Sequence, residues 1–152
     1  MLPQWLLIAF NEIGQAEIPG PENSPRITEY FTATILGAVN NDDVPWCSAF
    51  VSWVLEKSGY ASTRSAWARS YLTWGQGQTI PQIGAICVLS REGGGGHVGF
   101  VLDRDPTAGR VYLLSGNTAN CVCIRSFDAS HVLGDRWPLA PSGLSPGTDR
   151  IG

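Results

Sequence analysis

The sequence predicts an α+β fold, with N-terminal helices packed on an antiparallel sheet. Three observations carry the prediction. Apolar residues recur at helical spacing through the first half of the chain. Short apolar runs punctuated by turn residues fill the second half. Helices first and consecutive strands afterwards favour pairing between neighbouring strands, hence an antiparallel sheet. At 152 residues, 43% hydrophobic and 15% charged, the chain suits one folded domain with a proper core.

The first helix is expected over Trp5 to Gln15, where Trp5, Ile8, Ala9, Glu12 and Ile13 share a face. Ser24 followed by Pro25 reads as a helix start running to about Leu36 and stopping at Gly37. Trp46, Ala49, Phe50, Trp53 and Val54 form the apolar stripe of a third helix, from about Pro45 to Gly59. Ser65 is placed to cap a short helix reaching Trp74. Strands are expected at Ile83 to Leu89, His97 to Leu102, Arg110 to Ser115, Cys121 to Phe127 and Val132 to Trp137. Residues 1–138 form the domain, and 139–152, rich in Pro, Gly and Ser, an irregular tail.

Charge narrows the partners. The net charge is −3, and Lys57 is the only lysine. That excludes a nucleic-acid surface and a polybasic membrane anchor. The amino end lacks the positive start and cleavage site of a signal peptide, and its apolar run is too short to span a bilayer. The expectation is synthesis in the cytoplasm with no integral membrane segment, so that work outside would need delivery.

The chemistry centres on Cys47. It falls in the first turn of the third helix, just off the apolar stripe. The positive end of the helix dipole favours thiolate there. His97 opens a strand after Gly93-Gly94-Gly95-Gly96. A hairpin centred near Thr107 would put His97 opposite Asn117, able to hold the imidazole in one tautomer. Thiol, imidazole and orienting amide are the apparatus of nucleophilic acyl transfer. Each residue also has a plain reading: a small buried hydrophobe, a strand-end histidine and a turn asparagine beside Gly116. His131 is the rival base, without a partner of its own. Cys87, Cys121 and Cys123 read as buried core thiols, with zinc or a disulfide at Cys121 and Cys123 as the alternatives. Most of the six tryptophans are core candidates. Trp46, Trp67 and Trp74 could instead line a groove for sugars or peptides.

Three ordered segments carry a resemblance: Pro45-Trp46-Cys47-Ser48-Ala49-Phe50-Val51, Gly96-His97-Val98-Gly99-Phe100-Val101 and Gly116-Asn117. Together they resemble the CHAP (cysteine, histidine-dependent amidohydrolase/peptidase) and NlpC-type cell-wall hydrolases, in particular a small single-domain set of phages and prophages. Residues 23–27, 65–70 and 132–138 share the likeness. The resemblance implies a papain-like fold with the nucleophile at a helix N-terminus. It implies Cys47 as nucleophile, His97 as base and Asn117 as orienting residue; Trp46, Trp67 and Ser115 are the expected substrate contacts. Ser115 stands where many members carry a glutamate. The implied activity is cleavage of an amide bond in peptidoglycan, by a stem-peptide endopeptidase or an N-acetylmuramoyl-L-alanine amidase, with no metal or cofactor. Asn40 or Asn41 is the proposed second oxyanion donor. A phage endolysin is the first expectation, monomeric and acting on the wall after delivery. The alternatives are an interbacterial effector, which would bring an immunity protein as partner, and a non-catalytic wall-binding module on the same fold.

Overall fold

The computed structural model describes residues 1–19, 22–37 and 45–139. It is an α+β fold of three short helices and a six-stranded antiparallel sheet, compatible with a papain-like architecture. Helix α1 spans Gln4–Asn11. Helix α2 spans Pro25–Tyr30, and the Ser24 hydroxyl caps it by accepting from the Ile27 N–H at 3.3 Å. It gives way to a 3-10 turn over Phe31–Ala33 and ends at Thr34, whose backbone is extended, three residues before the expected Gly37. Helix α3 spans Cys47–Lys57. The predicted fourth helix is a 3-10 stretch, Ala68–Thr73.

The strands are β1 (Gln76–Gly77), β2 (Ile86–Ser90), β3 (Gly96–Asp105), β4 (Arg110–Thr118), β5 (Cys121–Asp128) and β6 (Val132–Trp137). Their order across the sheet is β1-β6-β2-β3-β4-β5. Only β1, two residues long, has no counterpart in the sequence reading; it is too short to carry an alternation pattern. The β3–β4 hairpin pairs Phe100 with Leu114 and Val101 with Leu113, the register that a turn near Thr107 requires.

Alternation along the strands divides two apolar layers. Val88, Val98, Phe100, Leu114 and Val122 face α3, where they join Trp46, Phe50 and Val54. Cys87, Leu89, Val101, Val111 and Leu113 face the opposite side, closed by Phe127, Val132 and Trp137. Phe50 meets Phe100 edge-on with centroids 6.2 Å apart, and Tyr30 meets both Phe50 and Trp53. These edge-to-face contacts fix how α3 lies on the sheet.

One glycine sets the height of the start of α3. A Cβ on Gly116 would lie 2.5 Å from the Trp46 ring and 3.1 Å from the Phe50 Cβ. The bare backbone of β4 is what allows Trp46 to lie on it. Gly116→Ala should therefore destabilise the protein by about 1–3 kcal/mol, the usual cost of overpacking. Urea unfolding measures this, with Gly95→Ala, whose φ is negative and whose Cβ would meet open space, as a control for the glycine-to-alanine change alone.

Candidate active site

Beyond Phe100 and Leu114 the pairing of β3 with β4 stops. The Val101 N–H points to β2, where it bonds the Ala85 carbonyl at 2.8 Å. By alternation the Val98 N–H points toward β4, into the place where the ladder has ended. The Cys47 thiol fills that place: its hydrogen-bonding surroundings are the backbone N–H groups of Val98, Ser48 and Cys47 itself. Among the described residues no side chain caps α3, and its first internal bond runs from the Phe50 N–H to the Trp46 carbonyl. The earlier N–H groups are thus left for the sulfur or for a ligand.

His97 lies one residue before Val98, fully buried. Its ring sits on the face away from α3, with its centroid 5.3 Å from that of Phe127. Nε2 is 2.9 Å from the Ser115 hydroxyl and 3.3 Å from the Thr118 hydroxyl, and those two hydroxyls are 3.0 Å apart. Nδ1 is buried and has no partner among the described residues. No hydrogen bond joins Cys47 to His97. The structure brings thiol and ring to neighbouring residues of β3, where the two strands part, and leaves Nδ1 as the unoccupied nitrogen.

Electrostatics differ from the sequence expectation. Burial pushes the Cys47 thiol up, more than the Val98 N–H and the charge of Arg91 pull it down. Burial, and then Arg91, lower His97 to about 3. The resting pair is a neutral thiol and a neutral imidazole. The helix dipole acts on Cys47 as expected, but desolvation of a thiol with 6% exposure outweighs it.

A groove of about 510 Å³ opens beside the sulfur. It is lined by Cys47, Ile35, Leu36, Trp67, Gly95 and Gly96, among others. Trp67 is 60% exposed and gives this groove an aromatic wall. The Ser48 hydroxyl donates to the Ser65 carbonyl at 2.7 Å, fastening that wall to α3. The Arg69 Nε donates to the Gly95 carbonyl at 3.0 Å and steadies the opposite rim.

Three expected contacts land elsewhere. Trp46 is fully buried, packed on Gly116 with its indole N–H on Glu17 at 2.9 Å. Core packing takes the face that a substrate would need. Ser115 is also fully buried and faces His97 instead of a ligand. Asn117 sits half-buried at φ 61°, and the hydroxyls of Ser115 and Thr118 hold the ring position expected of it. His131 is exposed in a 3-10 turn beside Asp128. Asn40 and Asn41 lie outside the described residues. Cys87 is fully buried, but Cys121 and Cys123 are only half-buried. Among the described residues no group of three or more His, Cys, Asp or Glu could hold a metal, and no helix is long and apolar enough to cross a membrane. Thr118, Arg91 and the Val98 N–H escaped the sequence reading. Thr118 belongs to no motif, and the other two act through a strand end that only the register reveals.

A family model, the CHAP domain, matches residues 39–117. The chain belongs to the CHAP family. The match runs over Cys47, His97 and Asn117, more than half of the chain, and membership points to a hydrolase acting on peptidoglycan. None of the curated proteins matches this chain.

Two outcomes follow from the electrostatics. An imidazole whose folded pKa is depressed binds fewer protons than the unfolded chain, so stability falls as pH drops below 6.5 toward 3. The expected slope is about 1.4 kcal/mol per pH unit, and His97→Gln should flatten the denaturation midpoint between about pH 6.5 and 5, above the range of ordinary carboxylates. Alkylation of Cys47 should rise with pH without levelling off below the ordinary thiol range. Arg91→Ala removes a charge that favours thiolate, so it should shift this profile further to the alkaline side, as iodoacetamide labelling read by mass spectrometry would show.

Proposed function

We propose that the CHAP domain cleaves an amide bond of peptidoglycan with Cys47 as nucleophile and His97 as base. The observation that supports this best is the seating of Cys47 at the parting of β3 and β4, beside a histidine whose Nε2 is occupied and whose Nδ1 is open. The sulfur also faces a groove of about 510 Å³, with Trp67 as its wall.

The chemistry starts from the neutral pair. As a substrate carbonyl approaches Cys47, the thiol proton passes to His97 Nδ1 through intervening water, since the ring lies on the sheet face away from α3, and the sulfur attacks. The oxyanion accepts from the backbone N–H of Cys47 at the start of α3, where no side chain among the described residues competes. The imidazolium then protonates the leaving amine, and water hydrolyses the thioester. Ser115 and Thr118 keep Nε2 in place. They carry no charge, so they orient the ring without strongly raising its basicity. Asn117, one residue from Thr118 at the strand end, is a candidate to close on the ring when substrate binds.

The bond cleaved is either within the stem peptide or between muramic acid and L-alanine. The net charge of −3 gives no attraction to an anionic wall, so the reading includes delivery to the wall, as a phage endolysin or as an effector between bacteria.

A second reading has its own support. The absence of a sulfur–imidazole hydrogen bond, with Ser115 in the place of a carboxylate, suits a wall-binding module without turnover. Digestion of purified peptidoglycan separates the two. The hydrolase should release soluble fragments, and Cys47→Ser or His97→Ala should lower the rate by about 10²-fold or more while the protein stays folded. Trp67→Ala should raise KM about three- to tenfold with kcat little changed, as loss of an aromatic contact would. Retention on wall with no release by the unaltered protein would leave the binding module as the function.

A further inference from the structure

Cys121 and Cys123 do not behave as core residues. They lie two apart on β5, on one side of the strand, and both are half-buried. Both thiols donate to one acceptor, the Thr118 carbonyl, at 3.4 Å and 3.3 Å. They also lie against each other: burial raises the Cys121 pKa, and the hydrogen bond and charge of Cys123 raise it further. The cross-strand register explains the convergence. Cys123 pairs with Ser115 and Cys121 with Thr118, with an irregularity between them that draws both sulfurs to the same residue.

The shared acceptor is not an ordinary turn residue. The Thr118 hydroxyl is 3.0 Å from that of Ser115 and 3.3 Å from His97 Nε2. The two thiols and the imidazole are therefore linked through Thr118, the thiols on its backbone carbonyl and the ring on its side-chain hydroxyl. The turn that carries it is held under constraint. Asn117, Ala119 and Asn120 all have positive φ, at 61°, 51° and 60°, a region that asparagine enters more readily than most residues but alanine seldom. The S–H donors help hold this turn shut.

We infer that Cys121 and Cys123 form a redox-active dithiol whose closure to a disulfide loosens Thr118 and shifts the His97 imidazole. The idea that this shift regulates turnover rests on the hydrolase reading above; the dithiol and its link to the ring do not. The oxidant is a low-molecular-weight disulfide. One thiolate attacks it and releases one thiol, forming a mixed disulfide; the second cysteine attacks the protein sulfur of that bond and releases the other thiol. The S–S bond of the oxidant breaks and the Cys121–Cys123 bond forms. The two cysteines lose two electrons and two protons, which leave on the two released thiols. A disulfide sulfur carries no hydrogen, so both donors to the Thr118 carbonyl vanish together.

The test uses the whole chain with Cys47→Ser, so that the nucleophile cannot react. It is incubated with glutathione disulfide at about pH 8.5, where a large fraction of an ordinary thiol is ionised. Titratable thiols in the unfolded product should fall from three to one, leaving Cys87, and the mass should drop by two hydrogens. The ring resonances of His97 in a histidine-labelled sample should shift on oxidation and return with reductant, while those of exposed His131 stay in place. Cys121→Ser and Cys123→Ser, made singly, should each abolish the reversible shift; the two variants guard against one that fails to fold. Three thiols remaining, or a stable glutathione adduct, would overturn the dithiol. A disulfide that leaves the His97 resonances unmoved would overturn the link to the ring. None of these readouts needs wall turnover, so the hydrolase reading can fail separately.

Discussion

The contact between the Trp46 ring and the bare backbone of Gly116 governs the rest of this molecule. With no Cβ on β4 there, the start of α3 settles onto the sheet where β4 leaves β3. That placement sets the Cys47 sulfur against the Val98 N–H and points the first N–H groups of the helix at the same spot. A larger residue at 116 would lift the helix off. The sulfur, its hydrogen-bond donors and the groove beside it would then separate together. The edge-to-face contacts of Phe50, Phe100 and Tyr30 reinforce this seat from the next turns of the helix.

Burial is the second theme. A thiol at a helix N-terminus feels a favourable dipole, yet enclosure by Trp46, Phe50 and the sheet costs the charged form more than the dipole returns. The same enclosure strips water from His97. Two groups whose values are driven apart in this way rest uncharged, and their proton moves only when a substrate brings compensating dipoles. A site of this kind is quiet in the absence of ligand. That suits a protein whose unguarded thiolate would otherwise react with any passing electrophile.

Much of this was readable in the sequence. Periodicity placed α3 and five of the strands, because an apolar stripe and an alternating run each leave a strong pattern. A hairpin centred near Thr107 gave the β3–β4 register, since turn chemistry fixes pairing to within a residue. Ser24 and Pro25 announced α2. Its early end at Thr34 and the 3-10 form of Ala68–Thr73 were not visible, because a single turn of difference leaves the apolar spacing almost unchanged. Within the site, positions along the strands were legible and the direction of each side chain was not. Trp46 reads equally well as a groove wall or a core anchor until Gly116 is seen beneath it. The partners of His97 depend on an irregularity in β4–β5, which moves Ser115 and Thr118 to the ring and which no turn signal marks.

The bond from the Ser48 hydroxyl to the Ser65 carbonyl couples two parts that are usually free to vary independently. The aromatic side of the cleft is anchored to the very helix that carries the sulfur. Remodelling around Trp67 to accept a different ligand would therefore drag on the reactive atom, and Ile35, across the opening, is drawn into the same linkage because its N–H donates to the Arg64 carbonyl at 2.7 Å. Altered selectivity would be easiest to evolve, or to engineer, through side chains that leave this backbone linkage in place.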